Sequence, residues 1–96
     1  MNYMDYIKSN KQKILSLASK YGAKNLRVFG SVSRKEETPE SDLDLLVELD
    51  QDRSLLDRIA LMQDLEELLG RKVDVVNEKA LHPKLKQTIL KEAIPL

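Results

Sequence analysis

Gly30-Ser31-Val32-Ser33-Arg34-Lys35-Glu36-Glu37-Thr38-Pro39-Glu40-Ser41-Asp42-Leu43-Asp44 separates two apolar runs in this chain. Leu26-Arg27-Val28-Phe29 precedes it and Leu45-Leu46-Val47-Glu48-Leu49 follows it, and both have the composition of strands. One strand therefore delivers Gly30-Ser31, and after ten further residues a second begins at or inside Asp42-Leu43-Asp44. Successive strand residues face opposite sides, so Asp42 and Asp44 project together. Two like charges held that close repel each other unless a cation lies between them. Hard divalent ions such as Mg2+ are bound by carboxylate oxygens and by substrate phosphates. Gly30-Ser31 suits a phosphate and the two aspartates suit a metal. Together they outline a phosphoryl- or nucleotidyl-transfer site.

The flanking sequence supplies a scaffold. Met4, Ile7, Ile14, Leu15, Ala18 and Tyr21 recur at helical spacing over residues 4–21, and Gly22 reads as the stop. The first strand is expected over 26–30, one short helical turn over Ser31–Lys35, and a polar loop broken by Pro39 over 36–41. The second strand covers 42–49. Asp52 or Ser54 is placed to cap a helix over 54–69, where Leu55, Leu56, Ile59, Met62, Leu65 and Leu69 form core or, in part, a partner surface. Gly70 ends that helix, and Val73-Asp74-Val75-Val76 is a third strand. His82-Pro83 opens the last helix, which carries Leu85, Ile89, Leu90 and Ala93, and Pro95 closes it. The expected fold class is α/β (α+β), a small mixed sheet of about three strands packed with helices, as one domain over residues 1–96.

Asp74 joins the site through topology. Strands two and three are connected through a helix, as parallel neighbours are, so their N-terminal ends lie together. Asp74, second in its strand, then approaches Asp42 and Asp44. An unpaired charge within a buried valine run is costly, and a shared metal site removes that cost. If the first strand runs antiparallel to the second, it brings Gly30-Ser31 to the same edge. Two ions held there clamp the attacking and leaving oxygens of an in-line displacement. Asp42 and Asp44 would hold both ions and Asp74 would complete one of them or take a proton. Gly30 admits a triphosphate close to the backbone, Ser31 and nearby amides donate to it, and Arg34 can reach a phosphate.

Composition narrows the alternatives. Sixteen basic and sixteen acidic residues cancel, without the basic excess of a nucleic-acid binder. The absence of cysteine excludes disulfides, thiolate metal sites and thiol catalysis. No apolar run spans a membrane and the N-terminus lacks a signal-peptide pattern, so a cytoplasmic protein is expected. His82 reads as the residue before a helix, and Lys84, Lys86 and Lys91, offset by Glu92, as a solvated face.

At Phe29-Gly30-Ser31-Val32-Ser33-Arg34, Ser41-Asp42-Leu43-Asp44-Leu45-Leu46-Val47 and the later Asp74, the chain resembles the minimal nucleotidyltransferases of the DNA polymerase β-like superfamily. Leu81-His82-Pro83 and Glu92-Ala93-Ile94-Pro95-Leu96 extend the resemblance over nearly the whole chain. Many members have a glycine after the arginine, where Lys35 stands here. A free-standing domain of this size is similar to the antitoxin of HEPN/MNT toxin–antitoxin pairs, which transfers AMP from ATP to a tyrosine of the HEPN ribonuclease toxin. That resemblance implies a polymerase β-like fold, ATP as substrate, metal at Asp42, Asp44 and Asp74, catalysis by Asp42 and Asp44, and a triphosphate at Gly30 and Ser31. Carboxylate chemistry points to Mg2+ as the metal, and Arg34 stays a candidate phosphate contact by its position. A HEPN toxin is the implied partner. The alternatives are an antitoxin that acts by binding alone and a small-molecule nucleotidyltransferase.

Overall fold

The computed structural model describes residues 2–96. Its sheet is built outward from β2 (Leu43–Leu49), whose Leu43, Leu45, Val47 and Leu49 point into the main core. β1 (Ala23–Phe29) pairs antiparallel with β2, and β3 (Val73–Asn77) pairs parallel on its other side. β4 (Ile94–Pro95) adds to the outer edge of β1, giving the order β3-β2-β1-β4. The sheet is mixed, as the sequence predicts, but has a fourth strand. Pro95, expected to close the last helix, lies instead in this two-residue edge strand, where a missing N–H is tolerated.

Helices α1 (Tyr3–Ser9), α2 (Lys11–Lys20) and α3 (Leu55–Leu69) cover one face, burying Ile7, Ile14, Ala18, Leu61 and Leu65 against the strands. The single helix expected over 4–21 is broken at Asn10. There Ser9 Oγ and Asn10 Nδ2 both donate to the Tyr6 carbonyl, at 2.7 and 2.9 Å, competing with the helical ladder. β1 begins at Ala23, three residues before the expected start. Its first part carries the exposed polar residues Lys24 and Asn25, and the register shifts between Lys24 and Arg27, with Asn25 left-handed at φ 53°.

α3 is bounded as its sequence predicts. Ser54 Oγ accepts from Leu56 N at 3.2 Å and Asp57 Oδ2 accepts from Ser54 N at 3.0 Å, a reciprocal cap. Gly70 follows the last turn at φ 66°. α4 (Pro83–Glu92) opens with His82 Nδ1 accepting from Lys84 N at 3.2 Å, so His82 is the helix cap. No helix among the described residues is long and apolar enough to cross a membrane.

Of the two readings left open for α3, core or in part a partner surface, Leu61, Leu65 and Leu69 take the first, while Leu55, Leu56 and Ile59 are exposed. One expectation needs correction. Asp74 is exposed, because β3 is an edge strand with one open face, so the cost of a buried charge does not arise.

Candidate active site

The antiparallel and parallel pairings bring the C-terminal end of β1 and the N-terminal ends of β2 and β3 to one edge of the sheet. Register then sets the neighbours: Asp44 lies beside Phe29 on one side and Asp74 on the other. Asp42 sits just before β2, exposed, and its charge is felt at Asp44. All three carboxylates named from sequence are therefore at this edge. Burial is the main reason that the Asp44 carboxyl is pushed up to about 6; the charges of Asp74, Asp42 and Glu92 add to it and Arg34 opposes it.

Gly30 ends β1 with φ 75° and is buried. A Cβ built there would collide with the Asp44 carboxylate, so both the backbone conformation and the space require glycine. The chain then forms the short turn expected over Ser31–Lys35. The Gly30 carbonyl accepts from Ser33 Oγ at 2.8 Å and from Arg34 N at 3.2 Å, and Glu36 N donates to the Ser31 carbonyl at 2.9 Å. The Ser31 hydroxyl makes no hydrogen bond among the described residues and is partly exposed. Lys35 turns the chain at φ 59°, in the left-handed region that glycine adopts freely.

Arg34 reaches this edge, but not as a free cation. Its Nη1 donates to Glu92 Oε2 at 2.9 Å and its Nε to Glu36 Oε2 at 3.3 Å. The other Glu92 oxygen accepts the Gly30 N–H at 3.1 Å. The Arg34 guanidinium, helped by that N–H, holds the Glu92 carboxyl below the ordinary carboxylate range. Glu92 is the residue that sequence reasoning missed as part of the site. It lies 58 and 62 positions from its two partners, and only the pairing of β4 with β1 brings it there.

The donors at this edge are carboxylate oxygens, the set that a hard divalent ion prefers. As placed, no three carboxylates or imidazoles among the described residues gather closely enough to enclose a cation by themselves. That is compatible with Mg2+, which commonly takes one or two carboxylates and leaves further positions to water and substrate phosphates. The edge is also open. A cavity of about 440 Å3 lined by Arg27, Glu48 and Leu96 includes none of these site residues.

A sheet edge carrying a Gly-Ser turn and three carboxylates is a nucleotidyl-transfer architecture, and family comparison agrees. Residues 11–96 match the nucleotidyltransferase domain family, and the chain belongs to it. It is 45% identical over 84 residues to a Methanocaldococcus jannaschii protein proposed to be a protein adenylyltransferase, covering 88% of this chain and 90% of that one. It is 38% identical over 78 residues to the protein adenylyltransferase MntA of Thermococcus cleftensis, covering 81% and 79%. The solved structure of a proposed minimal nucleotidyltransferase matches with a TM-score of 0.88 at 46% identity, over 100% of this chain and 97% of that one. A chain in the crystal structure of a toxin–antitoxin with AMP-PNP matches at 0.77 and 25% identity, over 90% and 71%. The resemblance to minimal nucleotidyltransferases thus holds in sequence and in fold.

Proposed function

We propose that this protein transfers AMP from ATP to a tyrosine hydroxyl of a HEPN ribonuclease toxin, silencing it as the antitoxin of the pair. The convergence of Asp42, Asp44 and Asp74 with Gly30-Ser31 on one open edge carries this reading. Asp42, Asp44 and Asp74 would hold Mg2+, two ions in the full site, supplying charge neutralisation at the triphosphate and a more acidic acceptor hydroxyl. The Gly30 amide, the Ser31 hydroxyl and Arg34 would bind phosphate oxygens. The Ser31 hydroxyl is uncommitted and its residue partly exposed, whereas the Gly30 N–H is held by Glu92.

In the transfer, the acceptor oxygen attacks the α-phosphorus. The bond from that phosphorus to the bridging oxygen breaks, pyrophosphate leaves with the electron pair, and the hydroxyl proton passes to Asp74 or to water. Asp74 faces solvent on an edge strand, where a side chain presented by another protein can approach it. A protein acceptor is favoured by the protein adenylyltransferases among its relatives and by the toxin–antitoxin complex among its structural neighbours. Use of ATP places the reaction in the cytoplasm.

The test is transfer of label from ATP to the partner toxin. Label in the α-phosphate should appear on the toxin in the presence of Mg2+, and label in the γ-phosphate should not. Chelating the metal should stop the transfer. Transfer of the γ-label would make the protein a kinase and overturn the proposal.

A further inference from the structure

Two donors assigned above to the triphosphate are already engaged by one side chain. The Gly30 N–H donates to Glu92 Oε1 at 3.1 Å, and Arg34 Nη1 donates to Glu92 Oε2 at 2.9 Å. A carboxylate bridging a backbone amide and a guanidinium uses the same charge-assisted donors that receive phosphate oxygens. Neither N–H can point at Glu92 and at a phosphate at once. On the reading that this turn takes the nucleotide, we propose that Glu92 is an internal competitor for the triphosphate, which must displace its carboxylate to take the Gly30 N–H and the Arg34 Nη1–H that Glu92 now holds.

The surroundings make such an exchange local. Glu92 is the last residue of α4, and Ile94, two residues on, is fixed by pairing with Val28. The backbone therefore stays in place while the side chain turns. That side chain retains 25% exposure, which leaves it a path to water, and its partner Arg34 retains 45%. Glu92 also adds a fourth negative charge near Asp42, Asp44 and Asp74, so its departure lowers the repulsion that an incoming triphosphate meets. Without nucleotide, the same contacts keep Arg34 neutralised and tie the Gly-Ser turn to the C-terminal segment. A purely positioning role, with Glu92 orienting Arg34 toward phosphate, predicts the opposite sign for its removal.

Calorimetric titration of the β,γ-imido analogue of ATP, with Mg2+, separates these possibilities. Glu92→Gln keeps an acceptor for Gly30 but removes the negative charge facing Arg34, and should tighten binding by about fivefold. The gain should shrink when Arg34→Ala is also present. Unchanged or weaker binding by Glu92→Gln, with the native chain still binding, would overturn the competition and leave the nucleotide site standing. Absence of binding in every variant would instead overturn the nucleotide site, and the competition with it. Should Glu92→Gln fail to fold, nuclear magnetic resonance on the native chain gives the same decision. The Gly30 amide and the Glu92 carboxyl carbon should shift together as the analogue is added, and a stationary Glu92 signal would contradict displacement.

Discussion

Asp44 is partly buried beside Asp42 and Asp74, where an ionised carboxylate is costly. Its carboxyl is pushed up to about 6, above the value of an unfolded chain, so between the two values the folded state holds the extra proton. That contribution to stability is complete below about pH 4 and is lost as pH rises through about 6. Discounted for partial exposure, it amounts to about 1–2 kcal/mol. Asp44→Asn should therefore raise the metal-free Tm near neutral pH, by roughly 4–8 °C per kcal/mol for a chain of this size, while abolishing transfer. An unchanged Tm near neutral pH would contradict the strain assigned to Asp44. The spacing of Gly30-Ser31 and Asp42-Leu43-Asp44 made these residues legible in sequence, because strand parity and charge repulsion act over short range. Glu92 was not legible, since its contacts depend on long-range strand pairing. Lys35 was legible in part: the resemblance led to an expectation of glycine there, and its φ is positive.

β3 would expose unpaired backbone groups along its outer side, and α3 covers them. Glu66 Oε2 accepts from Val73 N at 3.0 Å and Arg58 Nη1 donates to the Val75 carbonyl at 2.7 Å. Covering an edge with side chains of a neighbouring helix blocks pairing with other chains. Arg58→Ala should cost about 1–3 kcal/mol, read by chemical denaturation, because a partly buried carbonyl loses a charged partner. Leu56→Ala should cost under about 0.5 kcal/mol, since Leu56 is 75% exposed. Equal effects from the two would contradict this division of α3. The ends of α3 were readable from Ser54 and Gly70, which act on their own neighbours. Its buried side was not, because apolar residues occur on more than one side of the helix and only packing selects Leu61, Leu65 and Leu69.

For the molecule as a whole, topology turns three separated pieces of sequence into one site. The parallel β2–β3 pair and the antiparallel β1–β2 pair were inferable from the intervening helix and from the need to gather Gly30, Asp42, Asp44 and Asp74. The β4 strand was not, because two residues carry no periodic pattern. The resulting edge is open and lies outside the cavity lined by Arg27, Glu48 and Leu96, which suits an acceptor brought by another protein. The most direct test is the intact mass of the proposed partner, a HEPN toxin, after incubation with this protein, ATP and Mg2+, run beside an Asp42→Ala, Asp44→Ala double variant. Mass added in whole AMP units by the native chain alone is the predicted result. A toxin of unchanged mass, bound and silenced equally by the double variant, would contradict the catalytic account and leave neutralisation by binding.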